Sequence, residues 1–172
     1  MLRLLILRHA LAMPAGSGPD FDRALTAEGR SEARKIGVFL ENREIVPGFA
    51  AISPARRAVE TWQAVRSKLS APPTEMIEPK LYDASAGTLL DAARKIEDRH
   101  RAALIVGHNP GLEMLTLALT GGALRTDKRY LSEKFAPCAL AIADFDAENW
   151  DELSPGKGVL SLFVTPASIP GK

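Results

Sequence analysis

Three short polar runs hold the residues of this chain whose types and spacing could do chemistry: Arg8-His9, Ser53-Pro-Ala-Arg-Arg57 and Gly107-His108-Asn109-Pro110. Each follows an apolar run of strand length. In open α/β sheets, ligands bind outside the carboxyl ends of the strands, so these runs can share one crevice. The second and third also read as helix starts, where unpaired backbone N–H groups and the positive end of the helix dipole favour an anion. That dipole opposes cations such as Arg56 and Arg57 in a first turn, by roughly 0.3 to 1 kcal/mol each when exposed. A bound anion removes the conflict. Arginines clasp phosphoryl oxygens in a bidentate way, so the chemistry these residues suit best is the handling of a phosphoryl group.

Taken singly, each residue has a plainer reading. A histidine after a strand is ordinarily a hydrogen-bonded structural residue. Arg8 alone could lie on the surface, and Arg56-Arg57 alone could be a solvated helix face. Their joint placement at three strand ends is what favours a functional reading. His9 and His108 could also join a carboxylate around zinc, but the chain has no His-Glu-x-x-His, no Cys-x-x-Cys and no third well-placed histidine. His100, in Asp98-Arg-His-Arg101, is expected to be solvated or to act as a cation at a helix C-terminus. Neither a metal nor a cofactor is expected.

The elements that would position these runs can be read from apolar pattern and caps. Leu2 to Leu7 is a near-continuous apolar run, the mark of a strand buried on both faces of a parallel sheet. After a polar loop from Ala12 to about Ala24, Thr26 can cap a helix to about Glu41, with Ala33, Ile36, Gly37 and Leu40 at helical spacing. Phe49 to Ile52 is a second strand. Ser53 as N-cap and Pro54 at the first helical position then open a helix to about Leu69. Thr74 to Ile77 is a further strand, and Thr88 to about Arg99 has the next helical pattern. Ala102 to Val106 is a strand followed by a helix capped by Asn109 and running through Leu119. Ala139 to Phe145 and Val159 to Val164 read as an antiparallel hairpin at one sheet edge. Residues 120–137 carry no clear signal. The alternation predicts an α/β fold, a three-layer αβα sandwich with a mostly parallel central sheet and an antiparallel edge.

Composition agrees with a soluble globular chain. Of 172 residues, 46% are hydrophobic and 25% charged, and 22 Lys plus Arg nearly balance 21 Asp plus Glu for a net charge of +1. The balance offers no electrostatic reason to expect nucleic acid or membrane partners, so any anion site must be local. The length suits one domain over residues 1–172. The single cysteine, Cys138, cannot form an intrachain disulfide and reads as a small buried hydrophobe. The apolar start, Met1 to Leu7, is short, ends at Arg8-His9 and reads as a strand rather than a leader. No apolar stretch approaches the roughly 18 residues needed to span a bilayer, so a cytoplasmic protein is expected.

The polar runs also carry a family resemblance. Arg8-His9-Ala10 after a hydrophobic strand resembles the Arg-His-Gly signature of the histidine phosphatase, or phosphoglycerate mutase-like, superfamily. Asp20-Phe-Asp-Arg-Ala-Leu-Thr26 with Glu28-Gly29, Ser53-Pro-Ala-Arg-Arg57-Ala58 with Thr61, and Val106-Gly-His108-Asn-Pro110 resemble its later blocks in the same order. The likeness spans about residues 1 to 119 and is closest in detail to the short SixA-like phosphohistidine phosphatases. It implies that His9 is a nucleophile and that Arg8, Arg57 and His108 surround the phosphate, Arg57 rather than Arg56 holding the arginine position of its block. Ala10 stands where glycine is usual. No residue matches the family's acid firmly; Asp83 is a candidate by position and Glu113 by its closeness to His108. The implied substrate is phosphohistidine in a protein. A small phosphorylated metabolite is the alternative substrate, and a catalytically silent phosphoprotein-binding module is an alternative of another class.

Overall fold

Leu2–Arg8 forms strand β1, and its alternation explains the layering: Leu4 and Ile6 enter one hydrophobic core while Leu5 and Leu7 enter the other, all four fully buried. The computed structural model describes residues 1–16 and 18–170. β2 (Phe49–Ile52), β3 (Thr74–Ile77) and β4 (Ala102–Gly107) continue the sheet in parallel, and β5 (Leu140–Phe145) and β6 (Gly158–Val164) complete it in antiparallel fashion. The order is β3-β2-β4-β1-β5-β6. The mostly parallel sheet and antiparallel edge expected from the sequence are therefore present.

The helices cover both faces. α1 (Ala27–Asn42) and α2 (Arg56–Arg66) pack together over the core that holds Leu5 and Leu7, contributing Ile36, Leu40, Trp62 and Val65. α3 (Ala86–Ala93) and α4 (Gly111–Leu119) pack over the opposite core, with Leu89, Leu112 and Leu115. Residues 120–137, unassigned by sequence, hold a 3-10 turn at Ala123–Thr126 and a short α5 (Lys128–Glu133) whose N-cap Asp127 accepts two backbone N–H groups.

Several boundaries differ from the sequence reading, each for a local reason. Thr26 does cap α1, accepting from Gly29 N–H. Ser53 does not cap α2: the helix starts two residues later, with Ala55 at the N-cap, and the serine hydroxyl is spent elsewhere. Asn109 does not cap α4 either, since Pro110 takes that position and the asparagine amide donates to Glu113 and to the Phe135 carbonyl. α3 starts earlier than Thr88, because Ser85 caps it through Thr88 N–H, and stops at Ala93. His100 is therefore at no helix end. It is half-buried beside Phe49, and its Nε2 is buried without a partner among the described residues. Cys138 is fully buried, and burial pushes its thiol pKa up. Among the described residues no helix is long and apolar enough to cross a membrane.

Candidate active site

The sheet register brings the three polar runs together. β4 lies between β1 and β2, with Leu7 and Ile52 both opposite Val106 and Arg8 opposite Gly107. The residues that follow, His9, Ser53 and His108, leave the sheet side by side at its carboxyl edge. His9 and His108 border a crevice of about 410 Å³ lined also by Arg8, Arg57, Asp20 and Tyr82, whereas Ser53 is fully buried and does not line it.

His9 is fixed at both backbone and ring. Its N–H donates to the Gly107 carbonyl and its own carbonyl accepts from Cys138 N–H. Ring Nδ1 lies 2.8 Å from the Ala10 carbonyl, which can only accept, so Nδ1 carries the proton. Nε2 is left with a bare lone pair, and Arg57 Nε donates towards it at 3.3 Å. Burial above all holds the His9 pKa down to about 3, and the nearby His108, Arg57 and Arg8 lower it further against the Ala10 hydrogen bond. The ring is neutral near pH 7.

Arg57 is buried on the first turn of α2, and its Nη1 and Nη2 each give one hydrogen bond to Asp20, to the backbone carbonyl at 2.6 Å and to the carboxylate at 3.0 Å. Arg56, the alternative in that run, is exposed, pairs with Glu60 and does not line the crevice. Arg8 donates from Nη1 to the Phe135 carbonyl at 2.7 Å, and its Nε is buried without a partner among the described residues. His108 lies 5.2 Å from His9, ring centre to ring centre, and Ser53 Oγ is 2.7 Å from its Nε2. Burial, followed by Arg57, lowers the His108 pKa to about 4. The arrangement thus offers one unprotonated ring nitrogen and several cationic or neutral donors within one crevice, a set suited to an anionic, tetrahedral group.

The two acid candidates part company. Asp83 lines the crevice, on an exposed loop with left-handed backbone (φ 49°). Glu113 does not line it; its carboxylate accepts from Tyr130 Oη and Asn109 Nδ2 behind the site. Sequence reasoning gave no role to Asp20, Arg23 or Tyr82, all of which line the crevice. The Asp20 carboxylate accepts from Tyr82 Oη at 2.8 Å, from Arg57 and from Arg23. The Tyr82 hydrogen bond is the largest influence holding its pKa down, to about 2. Asp20 and Arg23 lay within a motif already noticed, but nothing in a linear sequence marks Tyr82 as their neighbour. Among the described residues, no three His, Cys, Asp or Glu side chains gather as a metal would require.

Comparison with known proteins agrees with this geometry. The family model for the histidine phosphatase superfamily (branch 1) matches residues 4–90. An uncharacterised protein of Mycobacterium leprae is 31% identical over 167 residues, covering 93% of this chain and 99% of its own length. A solved structure from Agrobacterium tumefaciens, assigned as a phosphohistidine phosphatase SixA, is 27% identical with a TM-score of 0.76, over 96% of this chain and 98% of that one. The protein histidine phosphatase SixA in complex with tungstate shares the fold, with a TM-score of 0.78 at 20% identity over 98% of this chain and all of that chain.

Proposed function

The chain belongs to the histidine phosphatase superfamily, and on that premise we propose that it is a phosphatase that takes a phosphoryl group onto His9 and passes it to water. Its three-layer fold is phosphoglycerate mutase-like. The observation that carries the reading is the unprotonated Nε2 of His9, faced by Arg57 Nε–H in a crevice where Arg8, Arg57 and His108 converge.

In the first step Nε2 attacks phosphorus in line, the N–P bond forms, and the bond to the leaving group breaks. The fixed Nδ1–H spares the ring from having to lose a proton first and disperses the charge it gains. As the lone pair is used, the Arg57 Nε–H that faced it is released to a phosphoryl oxygen. Arg8 and His108 stabilise the charge on the other equatorial oxygens. In the second step water attacks phosphorus, its proton leaves to a base, and the bond to His9 breaks to yield inorganic phosphate. Asp83 is the crevice carboxylate that has no cationic partner among the described residues, so it is assigned as that base and as the donor for leaving groups that need one.

The substrate assigned is phosphohistidine on a protein. The mouth of the crevice is formed by the exposed Leu11, Asp20 and Asp83, which leaves it accessible to a side chain held on a protein surface. The likeness to the Agrobacterium protein supports the same choice. The test is phosphate release from phosphohistidine peptides and from small phosphoesters by purified protein. Release from neither would overturn the proposal and leave the binding module; release from small esters alone would replace the substrate.

A further inference from the structure

The Ser53 hydroxyl is fully buried, lies 2.7 Å from His108 Nε2 and serves no helix cap. The direction of this bond follows from what surrounds the oxygen. Ala55 N–H points towards Ser53 Oγ at 3.5 Å, so the oxygen is already placed as an acceptor. No carbonyl or carboxylate within reach takes the hydroxyl proton among the described residues, and a buried hydroxyl proton left without an acceptor is costly. His108 Nε2 is the available acceptor. Ser53 therefore donates to Nε2, which must be unprotonated, and the neutral ring carries its proton on Nδ1.

Nδ1 of His108 is buried and has no partner among the described residues, although the residue lines the crevice. It is the one polar atom the ring has left to offer. His9 and His108 thus share a tautomer but turn opposite atoms to use: His9 keeps Nδ1–H on the Ala10 carbonyl and presents a lone pair, while His108 gives up its Nε2 lone pair to Ser53 and presents an N–H.

We propose that Ser53 is a positioning residue that fixes the tautomer and ring orientation of His108, so that His108 Nδ1–H is a donor to a phosphoryl oxygen. The inference rests on the proposed phosphatase reading of the site. Without Ser53 the neutral ring can place its proton on Nε2, which turns a lone pair towards the negative oxygens. Donor and repulsive lone pair then exchange, and the effect falls on the transition state, where charge on those oxygens matters most.

The test has a spectroscopic and a kinetic arm. In ¹⁵N NMR of the free protein near pH 7, His108 should show an unprotonated Nε2 and a protonated Nδ1. Ser53→Ala should shift the ring to the other tautomer or to a mixture, and Ser53→Thr, which keeps the hydroxyl, should restore the wild-type pattern. Ser53→Cys, nearly isosteric but a weaker donor, guards against the case in which threonine does not fit. In turnover, Ser53→Ala should lower kcat by about 10- to 100-fold, the size seen when outer partners that orient a histidine are removed, with KM little changed. A protonated Nε2 in wild type, or Ser53→Ala with unaltered tautomer and activity, overturns the proposal. His108→Ala separates the two levels: full activity in that variant overturns the phosphatase role of His108 itself, whatever Ser53 does to its tautomer.

Discussion

At His9 the two ring nitrogens have been given different fates by one backbone carbonyl, and most of the proposed chemistry depends on that separation. Replacing the ring by alanine removes the nucleophile from a strand end whose stability comes from the buried leucines before it. His9→Ala is therefore expected to fold and to show no turnover, with acid quenching of wild type trapping labelled phosphate on His9; label on serine or aspartate would refute the mechanism. The neighbouring arginines make a sharper comparison. Arg57 is buried against His9 and Asp20, whereas Arg56 is exposed on Glu60. Arg57→Ala should cost about 10²-fold or more in kcat, and Arg56→Ala should be close to wild type; equal losses would show that the register of this run is misassigned. The histidines also predict a pH response of the fold. An unfolded chain protonates histidine near 6.5, whereas burial holds His9 at about 3 and His108 at about 4. Between those limits the unfolded state binds protons that the folded state refuses, so stability falls as pH falls below 6.5, by about 1.4 kcal/mol per pH unit for each histidine. Denaturant melts at pH 7, 6 and 5 should show a shallower decline for His9→Ala than for wild type; parallel declines would contradict the buried neutral ring.

At the scale of elements, the contact between α2 and the end of β1 sets the geometry of the nucleophile. Thr61 is fully buried; its hydroxyl donates to the Arg57 carbonyl at 2.6 Å and accepts from Ala10 N–H at 2.9 Å. It therefore anchors Ala10, the residue whose carbonyl fixes the His9 ring. Thr61→Val keeps the shape and leaves Ala10 N–H buried and unpaired, at a cost of about 1–3 kcal/mol. Thermal melts should show that loss, kcat should fall with it, and Thr61→Ser should recover both; an active, undiminished valine variant would disconnect α2 from the site. The same contacts explain what was legible beforehand. β1 and β4 were readable because both faces are buried and the apolar runs are nearly continuous, interrupted in β1 only by Arg3 between Leu2 and Leu7. Residues 8, 9, 57 and 108 were readable because they stand at strand and helix ends. Ser53 and Asn109 have cap chemistry in sequence, but tertiary partners, His108 for one and Glu113 with Phe135 for the other, took their polar groups. Tyr82 meets Asp20 across 62 positions, a relation that no local pattern encodes.

For the molecule as a whole, two hydrophobic cores occupy the faces of the sheet and leave its carboxyl edge as the place for a polar crevice. What that crevice can hydrolyse depends on whether it can supply a proton. An alkoxide leaving from an alkyl phosphate is strongly basic and needs a donor, whereas the imidazole of phosphohistidine can leave neutral once its ring is protonated. Of the carboxylates near the site, Asp20 is held ionised by Tyr82, Arg57 and Arg23 and cannot serve as an acid near pH 7. Glu113 is behind the crevice, engaged by Tyr130 and Asn109. Asp83 remains, on an exposed loop at the mouth. A site with one exposed acid should favour the P–N bond, giving higher kcat/KM for phosphohistidine than for simple alkyl phosphates. Asp83→Asn should then hurt alkyl phosphates more than phosphohistidine. Glu113→Gln, which reaches the site indirectly, through Asn109 and through its charge on Arg8, should affect both substrates alike. Comparable turnover of the two substrates by wild type, together with loss of both activities in Asp83→Asn, would instead mark Asp83 as a dedicated acid and make a small phosphoester the substrate.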